Sequence, residues 1–200
     1  MLKPFSQACE NNKTHIIEHL KALFSRCNSV LEIGSGTGQH AVYFAQHLPN
    51  INWHTSDLVN NHAGINMYVD EYKLINLHKP LAFDIENDKW PITVDAVFTA
   101  NTTHIMSREV AHKMMTLVAN HLPIGGLFCQ YGPFNYQGKY TSDSNHRFDL
   151  WLLERGHGGI RNIEELQRWV EEKGLHLEEK ILMPANNFIL VWRKHQHCSN

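Results

Sequence analysis

The sequence predicts an α/β protein with a doubly wound, mostly parallel sheet that ends in an antiparallel hairpin. Three observations predict it. An apolar run carrying one acid, Val30-Leu31-Glu32-Ile33, leads into three alternate glycines, Gly34, Gly36 and Gly38. Ala41, Phe44, Ala45 and Leu48 then recur at the spacing of one helical face. Further apolar runs alternate with helical patterns in a βαβαβ–βαβ order, which marks a doubly wound sheet. Two last apolar runs, 176–183 and 188–192, flank Pro184-Ala185-Asn186-Asn187 and are close enough to pair as a hairpin.

Taken in order, residues 1–13 are polar and read as irregular. A helix follows, with Ile16, Ile17, Leu20, Leu23 and Phe24 on one face and Thr14 as its cap. After the first strand, glycine turn and helix, Asn50 ends the helical region and 51–57 reads as a second strand ending in Asp57. Residues 60–72 are weakly helical. Pro80 to Ile85 gives a third strand with Asp84 at its end, and 94–100 a fourth. A helix over 107–122 carries Val110, Met114, Leu117 and Val118 on one side. Gly125-Gly126 opens a fifth strand, 127–131. Residues 132–149 are rich in Gly, Ser, Asn and aromatics and read as loop, with a short helix from about Phe148 to Arg155. Gly156-His157-Gly158-Gly159 interrupts it. A helix over 162–173 stops at Gly174. The expected organisation is a single domain over 1–200: an arm and helix (1–29), a ligand-binding core (30–131), substrate-side loops and helices (132–175) and the closing hairpin (176–194).

Composition narrows the function. The formal charge of −2 gives no basic footprint for nucleic acid, and Arg147, Arg155, Arg161 and Arg168 fall on different elements rather than one stripe. No stretch has the length of a membrane span or a signal-peptide core, so a cytoplasmic protein without membrane attachment is expected. Cys9, Cys27, Cys129 and Cys198 lack paired spacing and read as thiols. Of the fifteen histidines, His15 and His19 and the closing His195-Gln196-His197-Cys198 lack the further ligands of a metal motif, so no metal is expected.

The turn itself discriminates between ligands. Glycines let a backbone approach a ligand closely, and a helix N-terminus presents unpaired N–H groups. A dinucleotide requires G-x-G-x-x-G, and Gln39 breaks that spacing. Asp57, nineteen positions after Gly38 at a strand end, suits ribose hydroxyls, and Asp84 also falls at an expected strand end, where open α/β sheets bind ligands.

The acid-x-G-x-G-x-G turn resembles motif I of class I S-adenosylmethionine-dependent methyltransferases. The resemblance implies a Rossmann-like, seven-stranded sheet with a reversed last strand and S-adenosyl-L-methionine as cofactor. It implies that Glu32, Gly34, Ser35, Gly36 and Gly38 seat the amino-acid end of the cofactor and that Asp57 takes the ribose. Asp84 and Ile85 would meet the adenine, and Asn101 would line the methyl-transfer site. Nearly the whole chain further resembles the methyltransferase-like protein 26 family. That resemblance rests on Glu10-Asn11-Asn12-Lys13, the 31–40 turn and Ser56-Asp57. It continues through Asn101-Thr102-Thr103-His104-Ile105, Tyr131-Gly132-Pro133-Phe134, Ser144-Asn145 with Phe148-Asp149, Gly159-Ile160-Arg161, and Pro184-Ala185-Asn186-Asn187. The chain departs from that family at Asn11, at Gly156–Gly159 and at Asn162, outside the cofactor motifs.

The chemistry so implied is in-line displacement at a sulfonium methyl, in which a protein mainly positions and desolvates. His104 is the first candidate base, having an ordinary pKa near neutrality, and Tyr131 the second. The plainer reading of His104 is that it ties down its loop. Asn145, Asp149, Arg161 and Asn186 are candidate substrate contacts. Arg161 can pair a carboxylate or phosphate bidentately, or form a buried ion pair with Asp149. A small-molecule acceptor, or a short protein segment, is expected. Two other readings compete: a catalytically silent module holding cofactor or partner, and a nicotinamide oxidoreductase, against which Gln39 argues. The oligomeric state has no signature in the sequence.

Overall fold

The computed structural model describes residues 2–196. His197 and Cys198 of the closing His-Gln-His-Cys stretch lie outside the described residues. The elements run α1 (Gln7–Leu23), β1 (Ser29–Ile33), α2 (Gln39–His47), β2 (Asn52–Asp57), α3 (His62–Tyr72), β3 (Leu77–Ala82), β4 (Ala96–Ala100) and α4 (Arg108–His121). They continue with β5 (Leu127–Gly132), α5 (Asp143–Glu154), α6 (Ile163–Val170), β6 (Leu175–Met183) and β7 (Asn187–Lys194). The strands form a mixed, mostly parallel sheet in the order β3-β2-β1-β4-β5-β7-β6. β1 pairs parallel with β2 and β4, and β2 with β3, while β7 pairs antiparallel with both β5 and β6.

The chain divides into two compact units, Met1–Thr99 and Ala100–Asn200. In the first, Phe24, Phe44, Trp53 and Phe98 form a buried aromatic cluster with ring centroids 5.4–6.4 Å apart. Four aromatics fully removed from water contribute much of that unit's apolar burial. In the second, β5 is buried along its whole length, and Gln130 links Thr103 to the indole of Trp192. This chain of donors and acceptors satisfies polar groups that burial would otherwise penalise.

Four expectations are corrected. Residues 7–13 are helical rather than irregular, and Ser6, whose Oγ accepts from Cys9 N, caps α1 instead of Thr14. The early turns are polar because they meet polar partners: Glu10 accepts from Gln39, and Asn12 is buried 2.6 Å from His40 Nε2. The third strand is 77–82, not 80–85. It is an edge strand, where Pro80 is tolerated, and its register shifts at an irregularity between His54 and Ser56. Asp84 therefore lies beyond the strand, in a turn. Finally, α5 begins at Asp143, not near Phe148, because Ser142 Oγ accepts from Asn145 N as an N-cap. The Thr-Ser-Asp-Ser-Asn run is a helix start rather than a loop.

Candidate functional site

The glycine turn belongs to the first unit. Gly34, Gly36 and Gly38 all adopt left-handed backbone, with φ of 73°, 58° and 89°. That conformation strains any residue with a Cβ. Gly38 is also sterically held, since a Cβ there would lie 3.2 Å from Ile65 Cα of α3. A Cβ on Gly36 would meet no protein atom within 4 Å. The apex of the turn is thus an uncovered, exposed face.

Glu32 fastens the turn from below. Its Oε2 accepts from Ser35 Oγ at 2.8 Å and from the Trp53 indole at 3.3 Å, and Ser35 Oγ in turn accepts from Ser56 N. Burial raises the Glu32 pKa to about 7, Asp57 adding to the rise and the two hydrogen bonds opposing it. Ser56 O accepts from both Gly34 N and Ser35 N. Asp57 closes the assembly: Oδ2 accepts from Gly36 N at 2.7 Å, and Oδ1 accepts from Leu58 N and Asn61 Nδ2, each at 2.7 Å. A carboxylate has about four acceptor positions, so three donors leave roughly one.

Gln39, read in the sequence only as a break in the dinucleotide spacing, is a tether. Its amide oxygen accepts from Ser6 N, and its amide nitrogen donates to Glu10 Oε1 at 2.7 Å. Gln39 therefore ties α1 to the start of α2, directly after the turn. The Glu10-Asn11-Asn12-Lys13 string, which has no apolar pattern of its own, marks the other side of this contact.

Asp84 and Ile85 lie past β3. Asp84 Oδ1 accepts from Glu86 N and Oδ2 from Asn87 Nδ2, so its carboxylate shapes a local turn, while Ile85 is buried. Such side-chain-to-backbone bonds two residues on define an Asx turn.

The other candidates belong to the second unit. Asn101 is left-handed (φ 56°), and its N–H donates to Tyr131 O at 2.9 Å. Tyr131 is buried on β5. Asn101 Oδ1, His104 Nδ1 and Phe134 all approach Gly132, each 3.8–3.9 Å from where a Cβ would stand. His104 is buried and packs edge-on against Phe148. Burial, with smaller contributions from the charges of His157 and Arg161, lowers its pKa to about 4. At pH 7 the imidazole is therefore neutral, and a weaker base than an ordinary histidine.

Asn145 and Asn186 meet, but each is used internally. Asn145 Nδ2 donates to Thr141 Oγ1 and to Asn186 O, and Asn186 sits in left-handed backbone between β6 and β7. Asp149 accepts from Ile160 N and the Tyr140 hydroxyl, each at 2.6 Å. Tyr140 answers with a pKa raised to about 12, mainly through that bond. Arg161 does not pair with Asp149. Its Nη2 donates to Met106 O at 2.8 Å, and its Nε has no acceptor among the described residues, although the residue is only 8% exposed. An unmet buried donor costs about 1–3 kcal/mol, more when charged.

The Gly156–Gly159 cluster has a steric reason. A Cβ on Gly158 would overlap Met106 O and Arg161 Nη2, and one on Gly159 would stand 2.7 Å from Asp149 Oδ1. Among the described residues no group of three His, Cys, Asp or Glu is placed to hold a metal, and no helix is long and apolar enough to cross a membrane.

The fold is shared with solved methyltransferases. An O-methyltransferase family protein from Burkholderia thailandensis matches with TM-score 0.75 and 14% identity, over 94% of this chain and 58% of that one. An O-methyltransferase family 2 protein from Planctomyces limnophilus, solved with apigenin, matches with TM-score 0.74 and 14% identity over 92% and 62%. Human N-acetylserotonin methyltransferase, solved with S-adenosylmethionine, matches with TM-score 0.73 and 12% identity over 94% and 57%. The chain thus spans less than two thirds of the length of each. Likeness at this identity shows the methyltransferase fold. A family model described as a protein of unknown function (DUF938) matches residues 3–194, and the chain belongs to that family.

Proposed function

We propose that the protein binds S-adenosyl-L-methionine at the glycine turn and transfers its methyl group to a small molecule. One observation carries the reading. Three alternate left-handed glycines are braced by Glu32 and Asp57, and at the middle one, Gly36, no protein atom covers the space a side chain would fill. Packing against α3 accounts for Gly38; at Gly36 the left-handed backbone favours glycine, and its uncovered face leaves room for a ligand.

In this reading Glu32, Gly34, Ser35, Gly36 and Gly38 hold the amino-acid end of the cofactor. Asp57 offers its remaining acceptor position to the ribose, and Ile85 with Asp84 completes the cofactor contacts of the first unit; Asn101 is the candidate cofactor contact of the second. The cofactor, when bound, supplies a methyl group activated by its sulfonium. His104 and Tyr131 serve the acceptor. A neutral His104 accepts a hydrogen bond from an acidic acceptor hydroxyl without competing protonation at pH 7. Asn145 and Asp149, held by Thr141, Asn186 O, Tyr140 and Ile160 N, shape the acceptor side together with Asn186. Membership of the methyltransferase-like protein 26 family and a cytoplasmic setting belong to the same reading.

A specific observation favours the silent-module alternative: the depressed basicity of His104 makes it a poor base for an acceptor with a high pKa. The two readings separate in one experiment. Methyl-labelled cofactor is incubated with the protein and a small-molecule fraction of cell extract. Transfer into an acceptor, lost in Asp57→Ala, supports the enzyme; cofactor binding with no transfer to any fraction supports the module.

A further inference from the structure

Arg161 is the most unusual ionisable group of the second unit. It is only 8% exposed, yet it forms no ion pair among the described residues. Of the five N–H donors of a guanidinium, one bonds a described residue, from Nη2 to Met106 O, and Nε is buried without an acceptor among them. The acids whose charge reaches it are committed elsewhere. Glu165 accepts from Arg108 Nε at 2.7 Å, and Asp149 accepts from Ile160 N and the Tyr140 hydroxyl rather than from Arg161. Glu109 is fully exposed at the first turn of α4.

The guanidinium is nonetheless held in place. Gly158 lacks the Cβ that would overlap Nη2, and Gly158 N and Gly159 N donate to Ile105 O and His104 O, so the glycine cluster is stitched to the segment carrying Met106. A positioned, buried guanidinium with unused donors can receive an oxyanion. Charge-assisted bonds from Arg to carboxylate or phosphate are among the strongest available, and their two-point geometry fixes orientation.

We infer that Arg161 is the recognition site for an anionic oxygen group, carboxylate or phosphoryl, carried by the molecule that this unit binds. Resting on the proposed methyltransferase reading, this makes the acceptor an acid rather than a neutral phenol or amine. It also gives Gly158 a role: a side chain there would occupy the space of the guanidinium.

The test uses the full chain, labelled with 15N-arginine, observed through the Nε–H resonances. The Arg161 signal is identified as the one missing from Arg161→Lys. Sodium acetate, inorganic phosphate and neutral acetamide are titrated separately at constant ionic strength made up with chloride. The inference expects the Arg161 signal to move saturably with acetate or phosphate and not with acetamide or chloride. The stronger of the two anions names the group as carboxylate or phosphoryl. Arg161→Gln, checked for native circular dichroism, should lower affinity for that anion about tenfold or more. A signal unmoved by either anion, or moved as much by acetamide, overturns the inference. Calorimetric titration of the same samples with S-adenosylhomocysteine separates the two readings. Cofactor binding without anion binding removes only the acidic acceptor, and anion binding without cofactor binding removes only the methyltransferase.

Discussion

Single residues carry the electrostatics of this protein, and the most consequential is Glu32. Its pKa is raised from 4.5 to about 7 because it is buried, so the folded state holds its proton more tightly than the unfolded one. Stability from this group is fully present below about pH 4.5 and is lost as pH rises through about 7. Glu32→Gln keeps acceptors for Ser35 and Trp53 without the charge. Urea unfolding should therefore show wild type and variant alike at pH 4, with the variant gaining up to roughly 3 kcal/mol by pH 8. A gap that does not widen with pH contradicts the assignment. His40 and His104 act with the opposite sign. Each is lowered from 6.5 to about 4 by burial, so each costs stability as pH falls from about 6.5 towards 4. Their imidazole C2–H resonances should not titrate between pH 8 and pH 5, whereas an ordinary histidine would. Gly158→Ala places a Cβ on a backbone carbonyl that cannot step aside. It should cost about 3 kcal/mol or more, read as a lowered urea midpoint at unchanged slope.

At the scale of elements, apolar periodicity found what it is able to find. The face of α2, the strand carrying Glu32, α4 and β7 were all legible, because each buries an apolar stripe or run; β6, mostly exposed, was legible only as the partner β7 needs across a short turn. The first turns of α1 and α5 were not. Asn12 and Asn145 are buried through hydrogen bonds to His40, Thr141 and Asn186, and polar burial leaves no period in the sequence. The caps were the available signal: Ser6 and Ser142 each stand three residues before the N–H they accept. The third strand was misplaced because Pro80 reads as a boundary, whereas on an edge strand it is an ordinary member. The contact between α1 and α2 is the element-level consequence. Gln39→Ala removes the partner of both Ser6 N and Glu10, and should cost about 1–3 kcal/mol. Hydrogen exchange should show the extra opening concentrated in Gln7–Lys13. Uniform loss of protection across the chain would contradict a local tether.

For the molecule as a whole, the strand order and the reversed β7 establish the methyltransferase fold, and the glycine turn is where sequence and structure agree most closely. The spacing of Gly34, Gly36 and Gly38 was readable from the chain alone. The bracing of Gly36 by the Asp57 carboxylate and the role of Gln39 required coordinates, since both depend on partners distant in sequence. The second unit was the least legible. Burial lowers the His104 pKa and leaves Arg161 Nε without an acceptor among the described residues, and neither effect shows in the spacing of the chain.

The central claim is that the turn is a cofactor seat rather than a packing device, and calorimetric titration with S-adenosylhomocysteine tests it most directly. The account predicts saturable binding at one site per chain in the wild type. Gly36→Ala should fold with a penalty of only about 1–2 kcal/mol from its left-handed backbone, since its methyl meets no protein atom, yet bind at least about tenfold more weakly because the methyl enters the ligand's space. A folded wild-type protein that takes up no S-adenosylhomocysteine, or a Gly36→Ala protein that binds it as tightly as wild type, would contradict the account.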